Sequence, residues 1–347
     1  MALQRALVVV PGAGAPATAV GRSRLVERLT SAPPGSRVLL TDHPWPDVEV
    51  EAAICEAAGY ELVDGAGRDP DALLALSASA AAILTNWAPV TAEHFARSPD
   101  LRVVGRLGVG VDNIDLAAAA AHDVVVTRVP DYCVEEVSDH TVALVLAWAR
   151  GIPFFDRAMR AGRFDPGALA LRRVRDLEVG IWGTGRNGMA TARKLAALGC
   201  SVRTDDRDPS RAAPFRAIPV GDLVADVDVL SVHLPLTEET RGVLGARLFT
   251  RMRPGSLVVN TGRGQLVDVD ALVAALDAGR PGAAALDVVP GEPRVPAALV
   301  GRDDVCLTPH VAFSSVTSIA EVRRRATQDV VRVLRGETPL EPYPLAR

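Results

Sequence analysis

The chain has 347 residues, 48% of them hydrophobic and 23% charged, enough to bury sizeable cores and to divide into two domains. A formal net charge of -4 and a pI near 5.9 give no basic field for nucleic acid. Apolar runs such as Thr141–Trp148 are far too short to cross a bilayer, and Leu7–Val10, broken by Pro11 and Gly12, is a poor signal-peptide core. The expectation is a soluble, cytoplasmic protein with no nucleic-acid or membrane partner.

Residues 1–36 fit no regular series. Ala6–Val10 has the composition of a strand, but Pro33-Pro34-Gly35 breaks the chain, so this stretch reads as an appended segment. From Arg37 onward, short β-branched or apolar runs alternate with Ala/Leu/Glu/Arg-rich stretches, the pattern of βα units and parallel sheets. The first series predicts strands at Arg37–Thr41, Ala81–Thr85, Leu101–Arg106 and Val124–Thr127, with a helix over Val50–Ala58. A hinge near Pro130 and Asp131 leads to Val134–Arg150, whose apolar residues recur at helical spacing over a length able to bridge domains. The second series predicts strands at Leu177–Trp182, Ser201–Asp205, Val227–His233, Ser256–Thr261, Ala283–Asp287 and Val305–Thr308. Ser314–Leu334 reads as a long helix that crosses back to the first series.

Four cysteines, Cys55, Cys133, Cys200 and Cys306, are widely separated and show neither a C-x-x-C pair nor a histidine at metal-ligand spacing. Free, mostly buried thiols and no metal are expected, with Cys133, just ahead of a predicted helix, the one placed to be reactive. Lys194 is the only lysine and sits mid-helix six residues beyond Gly188. Schiff-base, Walker-type and lysine-base chemistries are thereby disfavoured.

A lone G-x-G-x-x-G is weak evidence, but here the strand Leu177–Trp182 runs directly into Gly183-Thr184-Gly185-Arg186-Asn187-Gly188, and Met189–Leu198 is helix-forming. Gly183 allows the tight turn, Gly185 the approach of a pyrophosphate and Gly188 the helix-to-strand contact, with phosphate charge met by the helix N-terminus. Asp206 ends the next strand, where a carboxylate accepts both ribose hydroxyls and repels a 2′-phosphate, which predicts NAD(H) over NADP(H). Asp205 is the alternative ribose contact, and Arg207 is placed to pair with a 2′-phosphate. The fold expected is α/β with two domains: a flavodoxin-like substrate domain (37–129 and 312–347) and a Rossmann NAD-binding domain (130–311), the chain crossing between them twice.

Three polar residues at predicted strand ends carry the chemistry: Arg263, Glu292 and His310. An imidazole can move a proton on a carbonyl oxygen, a neighbouring carboxylate favours its charged form, and a planar guanidinium meets carboxylate and carbonyl oxygens together. Singly, each is as readily a capped core histidine, a helix-start acid or a surface ion-pair partner; in this order behind a dinucleotide motif they read together. The blocks Leu107–Asp115, Val232–Thr237, Val258–Asp268, Leu286–Pro293 and Leu307–His310 resemble, in order and spacing, the signature segments of the D-isomer-specific 2-hydroxyacid dehydrogenases. The resemblance runs from about Arg37 to Gly336.

That resemblance implies NAD-dependent interconversion of a D-2-hydroxy acid and its 2-keto acid, with His310 as acid/base, Glu292 bonded to it and Arg263 holding the substrate. It places Val109, Arg186, Asn187, Leu234, Pro235, Thr261, Gly262, Asp287 and His310 along the cofactor. Gly262 departs from the usual Ala or Ser, and Asn187 from the usual Ile or Val, both at contacts made mainly by backbone. Formate dehydrogenase relatives carry Gln where this chain has Glu292, which argues for a 2-hydroxy acid. Val109 and Gly110 would present backbone N–H groups to the substrate carboxylate, with Asp112 or Asn113 starting the next helix.

The sequence stops soon after the last helix, so the regulatory domain of many phosphoglycerate dehydrogenases is not expected. Phe313, with Asn86 and Trp87 in the presumed substrate loop, brings the pattern closer to the C-terminal binding protein branch and to an apolar or aromatic pocket wall. That branch supplies the alternative, an NAD(H)-sensing oligomeric interaction protein with little turnover. A homodimer built on the helices around Val134–Arg160 is implied by the resemblance alone.

Overall fold

The computed structural model describes residues 30–345, which leaves the expected strand at Ala6–Val10 outside the described residues. The chain separates into two compact units. Among the described residues, one comprises 30–130 together with 320–345, and the other runs from Asp131 to Ile319.

In the first unit five strands, β1 (Arg37–Leu40), β2 (Glu61–Asp64), β3 (Ala80–Thr85), β4 (Val103–Arg106) and β5 (Val125–Thr127), form an all-parallel sheet in the order β2-β1-β3-β4-β5. This is the flavodoxin-like order. The central strand β3 is buried at every residue, as the unbroken apolar run Ala80–Leu84 requires of a parallel strand covered on both faces. Strand β2, reading ELVD, lies at the sheet edge with its ends exposed, and its alternation is too short to stand out in the sequence.

The helix Val316–Leu334 enters the first unit at Ala320, eight residues beyond the expected boundary at Ala312. Val330 then lies so close to β4 that a Cβ on Gly105 would sit 2.5 Å from its Cγ2, so the glycine makes room for the helix. Arg323 on that helix donates to both carboxylate oxygens of the fully buried Glu51, at 2.9 and 2.8 Å, and to Asp47. Residues 30–36 are part of this unit: the Ala32 N–H donates to the Leu334 carbonyl.

In the second unit seven strands, β6 (Glu178–Trp182), β7 (Ser201–Asp205), β8 (Arg216–Ala217), β9 (Val229–Val232), β10 (Leu257–Asn260), β11 (Ala283–Leu286) and β12 (Val305–Leu307), are all parallel in the order β12-β11-β10-β9-β6-β7-β8. Six were expected; the seventh, β8, is a two-residue edge strand. Alternate residues feed opposite layers. Leu257 and Val259 join the core with Ile181, Leu195 and Val229, while Val258 joins Leu230, Phe249 and Leu272. Strand order reverses between β6 and β9, and the carboxyl ends at such a point open a crevice for ligand.

The helix Val134–Ala149 bridges no boundary. It lies within the second unit, where Lys194 of the helix Arg186–Ala197 binds Asp139 at 2.6 Å and Glu135 at 2.8 Å. Cys133 at its start is 3% exposed. Among the described residues no helix is long and apolar enough to cross a membrane, and no group of His, Cys, Asp and Glu is arranged to hold a metal.

Candidate active site

At the carboxyl end of β6 the chain turns through Gly183, with φ +98°, where a Cβ would lie 2.6 Å from the His233 carbonyl oxygen. Only glycine fits both constraints. A Cβ on Gly188 would lie 1.9 Å from the Gly183 carbonyl oxygen, so the helix Arg186–Ala197 rests directly on the turn. Gly185, by contrast, faces open space and stands at the helix N-cap with no side-chain cap. The helix amides there are left for an anion, and the loop fits a dinucleotide pyrophosphate. Arg186 is exposed and Asn187 half-buried beside it.

The two acids after β7 separate clearly. Asp206 accepts from the Thr184 amide at 2.6 Å, the Thr184 hydroxyl at 2.8 Å and the Asp208 amide at 2.9 Å, which ties it to the glycine loop. Asp205 turns the other way to the Val220 amide at 3.1 Å, and burial pushes its pKa up. Asp206, not Asp205, is therefore the carboxylate beside the loop; Arg207 is exposed. His233 lies under the loop; it falls inside the Val232–Thr237 block, which gave it no role of its own. Burial brings its pKa down to about 4, and its ring nitrogen pairs with the Ser231 hydroxyl at 2.9 Å, so a neutral imidazole packs beneath the glycines.

Leu234 borders both Gly183 and Gly262, which brings 234–235 and 261–262 to the same sheet edge as the glycine loop. Thr261 is buried, its hydroxyl 3.0 Å from that of Thr141, and the Gly262 amide donates to Asn260. The turn continues through Arg263, whose guanidinium donates to the Gly262 carbonyl at 2.9 Å and whose own carbonyl accepts from Asn260. A Cβ on Gly264 would meet the Val289 carbonyl carbon at 2.1 Å, so the segments after β10 and β11 touch backbone to backbone. That packing brings Arg263 and Glu292 into electrostatic reach of one another.

Glu292 accepts from the Val289 amide at 2.8 Å and from His310 Nδ1 at 2.7 Å. Burial pushes its pKa up, but the His310 hydrogen bond and charge, the Val289 amide and Arg263 together outweigh burial and hold it below 4.5. With the folded value below the unfolded one, ionised Glu292 stabilises the fold above about pH 4.5, and this contribution is lost as pH falls through the lowered value. An ionised carboxylate only accepts, so the hydrogen shared by the pair sits on His310 Nδ1.

His310 has φ 51°, a left-handed conformation that a non-glycine residue adopts only under constraint. The constraint is Asp287. Its carbonyl accepts the His310 amide at 2.7 Å, and its side chain accepts the Thr308 hydroxyl at 2.6 Å and the Val311 and Ala312 amides at 2.9 Å each. Asp287, expected along the cofactor, is 1% exposed and holds the His310 loop from beneath. His140, unmarked in the sequence, supports the arrangement through Thr308 at 3.0 Å. Phe313 stands edge-on to the His310 imidazole at 6.0 Å and tilted against Tyr132 at 6.5 Å, measured between ring centres.

The remaining predicted substrate residues belong to the first unit. Asp42 accepts the amides of Asn86, Trp87 and Ala88, fixing that turn, and Asn113 donates to the Ala88 carbonyl at 3.0 Å. Asn86 is buried and accepts from Arg106 at 3.2 Å, while Trp87 is 44% exposed. Val109 and Gly110 are half-buried, and the Val109 carbonyl accepts from Arg128. Neither Asp112 nor Asn113 starts the following helix; Asp115 caps it through the Ala118 amide at 2.9 Å.

Residues 142–312 match the NAD binding domain of the D-isomer specific 2-hydroxyacid dehydrogenases. D-3-phosphoglycerate dehydrogenase of Mycobacterium bovis is 36% identical over 303 residues, 86% of this chain and 56% of that protein, so the chain spans little more than half the length of this relative. Glyoxylate reductase of Thermofilum pendens is 33% identical over 282 residues, 78% of this chain and 80% of the relative. The crystal structure of NADPH-dependent glyoxylate/hydroxypyruvate reductase from Sinorhizobium meliloti, in complex with NADP and malonate, has a TM-score of 0.80 at 31% identity and covers 89% of this chain and 96% of that one.

The fit of the glycine loop to a pyrophosphate can be tested at Gly188. A Gly188→Ala variant must move the helix off the turn, and titration with NADH followed by its fluorescence is expected to show affinity weakened by about tenfold or more, the equivalent of roughly 1.4 kcal/mol. Unchanged affinity would mean that the loop does not carry the cofactor.

Proposed function

Because the chain belongs to the D-isomer-specific 2-hydroxyacid dehydrogenase family, we propose that it reduces a 2-keto acid to the D-2-hydroxy acid, and catalyses the reverse, with NAD(H) as cofactor. The observation that carries this reading is the 2.7 Å bond between Glu292 and His310 Nδ1, which leaves Nε2 to exchange a proton. The names of the relatives, D-3-phosphoglycerate dehydrogenase and glyoxylate reductase, support the same class of small substrate.

The glycine loop, with Asp206 beside it, would hold NADH, which would supply the hydride for C2 of the keto acid. Arg263 grips the substrate carboxylate and carbonyl oxygen with its planar fork. As negative charge grows on that oxygen, His310 Nε2 delivers the proton, and Glu292 stabilises the imidazolium beforehand. In the oxidation direction the neutral imidazole takes the hydroxyl proton. Asn86, Trp87, Val109 and Gly110 remain the proposed substrate contacts of the first unit, and Asn187, Leu234, Pro235, Thr261 and Gly262 the proposed cofactor contacts of the second.

Asp206 at the glycine loop supports NAD(H) over NADP(H), because a carboxylate at the ribose repels a 2′-phosphate. The Sinorhizobium relative is named NADPH-dependent, so the choice belongs to this chain's own residues. We further read it as a cytoplasmic homodimer. Free cysteines accord with a reducing compartment. Ile152, Met159, Phe164, Leu169 and Leu171, large, apolar and exposed within 152–171, form the kind of surface a second copy covers.

Three measurements test this function. His310→Ala and Arg263→Ala are each expected to cost ~10²–10⁴ in turnover with the circular dichroism spectrum unchanged; near-normal turnover would refute the roles. The ratio kcat/KM for NADH against NADPH should exceed about tenfold, the scale of a single charge contact, and a preference for NADPH would sink the Asp206 assignment. Light scattering should return twice the chain mass of 36.5 kDa; a monomer would remove the dimer from the account.

A further inference from the structure

We infer that His140 is a positioning residue for the proton step: its ring N–H, received by the Thr308 hydroxyl, pins the loop that carries His310 to the helix Val134–Ala149. The inference rests on His310 as the acid/base proposed above and adds to that role a residue outside the Arg263, Glu292, His310 series.

The directions of the hydrogen bonds define what His140 does. The Thr308 hydroxyl has a single hydrogen and stands 2.6 Å from Asp287 Oδ1 but 3.0 Å from His140 Nε2. The shorter contact is that of a hydroxyl donating to a carboxylate, so the hydrogen points at Asp287 and a lone pair faces His140. Nε2 must then carry the ring hydrogen, and it also lies 3.6 Å from Asp287 Oδ1. His140 thus closes a chain of bonds that runs through Thr308 to the residue holding the His310 amide.

Asp287 ties this loop to the sheet. Its own amide donates to the Asn260 carbonyl at 3.0 Å, and the Thr308 amide donates to the Leu286 carbonyl at 3.0 Å. The helix is a second, separate support. Glu136, one turn before His140, accepts the Ser315 hydroxyl at 2.7 Å, so the helix grips the segment on both sides of His310. It is a firm support in turn: Leu144 and Val145 are buried in one core with Ile181 and Val259, and the Thr141 hydroxyl meets that of Thr261 at 3.0 Å. A displacement of about 1 Å at an acid/base group can cost ~10²-fold in rate. A histidine that only filled space would affect stability and leave the chemical step alone.

The test compares wild type with His140→Leu, His140→Gln and Thr308→Val, on whichever of glyoxylate, pyruvate and phenylpyruvate the wild type reduces fastest with NADH. In His140→Leu, kcat and kcat/KM are expected to fall together by ~10–100-fold with NADH affinity unchanged, the pattern of a loss felt in the transition state alone. His140→Gln, whose amide N–H stands the same number of bonds from Cα, should recover most of that loss. Thr308→Val should lower kcat in the same way, and adding His140→Leu to it should cost little more, because both break one chain of bonds. Near-wild-type turnover in His140→Leu, or no recovery in His140→Gln, overturns the inference while leaving the reductase reading in place. No turnover by the wild type on any of the three overturns both. Should His140→Leu fail to fold, Thr308→Val decides: a lowered kcat at constant KM supports the inference, and wild-type kcat overturns it.

Discussion

A buried carboxylate holds the working end of β12 in place. Asp287 gathers one hydroxyl and two backbone amides from residues 308–312 onto its side chain and takes the His310 amide on its carbonyl. Without these bonds nothing would keep His310 at φ 51°, a conformation of order 1–3 kcal/mol above the common regions for a non-glycine residue. With them, the imidazole is turned so that Nδ1 meets Glu292, and one tautomer is selected by hydrogen bonding. The placement of the His310 imidazole is thus set by a group that is itself 1% exposed.

The same logic operates at larger scale. A parallel sheet sends every carboxyl end to one edge, so β6, β7, β10, β11 and β12 deliver the glycine loop, Asp206, Arg263, Asp287 and His310 to a single side. Contacts between successive loops then set the spacing: Gly188 on Gly183, and Gly264 on the Val289–Pro290 backbone. A glycine at each of these positions does something no other residue permits, because the neighbouring backbone occupies the space of a Cβ. Electrostatics follows packing, since Glu292 is held ionised by His310 and Arg263 only because the loops bring all three together.

Much of this was legible in the sequence, for a physical reason. Strands covered by helices on both faces are predominantly apolar, so β11 reads as an unbroken run, β3 and β10 are polar only at their last residue, and β9 is interrupted only by Ser231. The edge strands β2 and β8 carry no such signature, because exposed ends tolerate Glu, Asp and Arg. The glycine loop and the Arg263, Glu292, His310 series stood out because their order and spacing match the segments that carried the resemblance. What escaped were the supporting residues. His140 acts through a tertiary neighbour rather than through any local pattern, and the place of His233 under the glycine loop is set by packing that its own block does not reveal. Asp112, Asn113 and Asp115 are all competent helix caps, and the choice falls to Asp115 while Asn113 braces the 85–88 turn. The bracing role of Asp287 escaped as well, because its position at a strand end is the same whether its side chain faces a cofactor or turns under a loop.

Stereochemistry gives the most direct test, because under the proposed roles Arg263 and His310 would orient the keto acid and the nicotinamide of bound NADH would present its hydride to one face of C2. The protein would be incubated with NADH and a prochiral 2-keto acid such as phenylpyruvate, and the hydroxy acid formed resolved by chiral chromatography. The expected product is the D enantiomer alone. Formation of the L enantiomer, or no hydroxy acid while NADH is bound, would contradict the roles given to Arg263, Glu292 and His310.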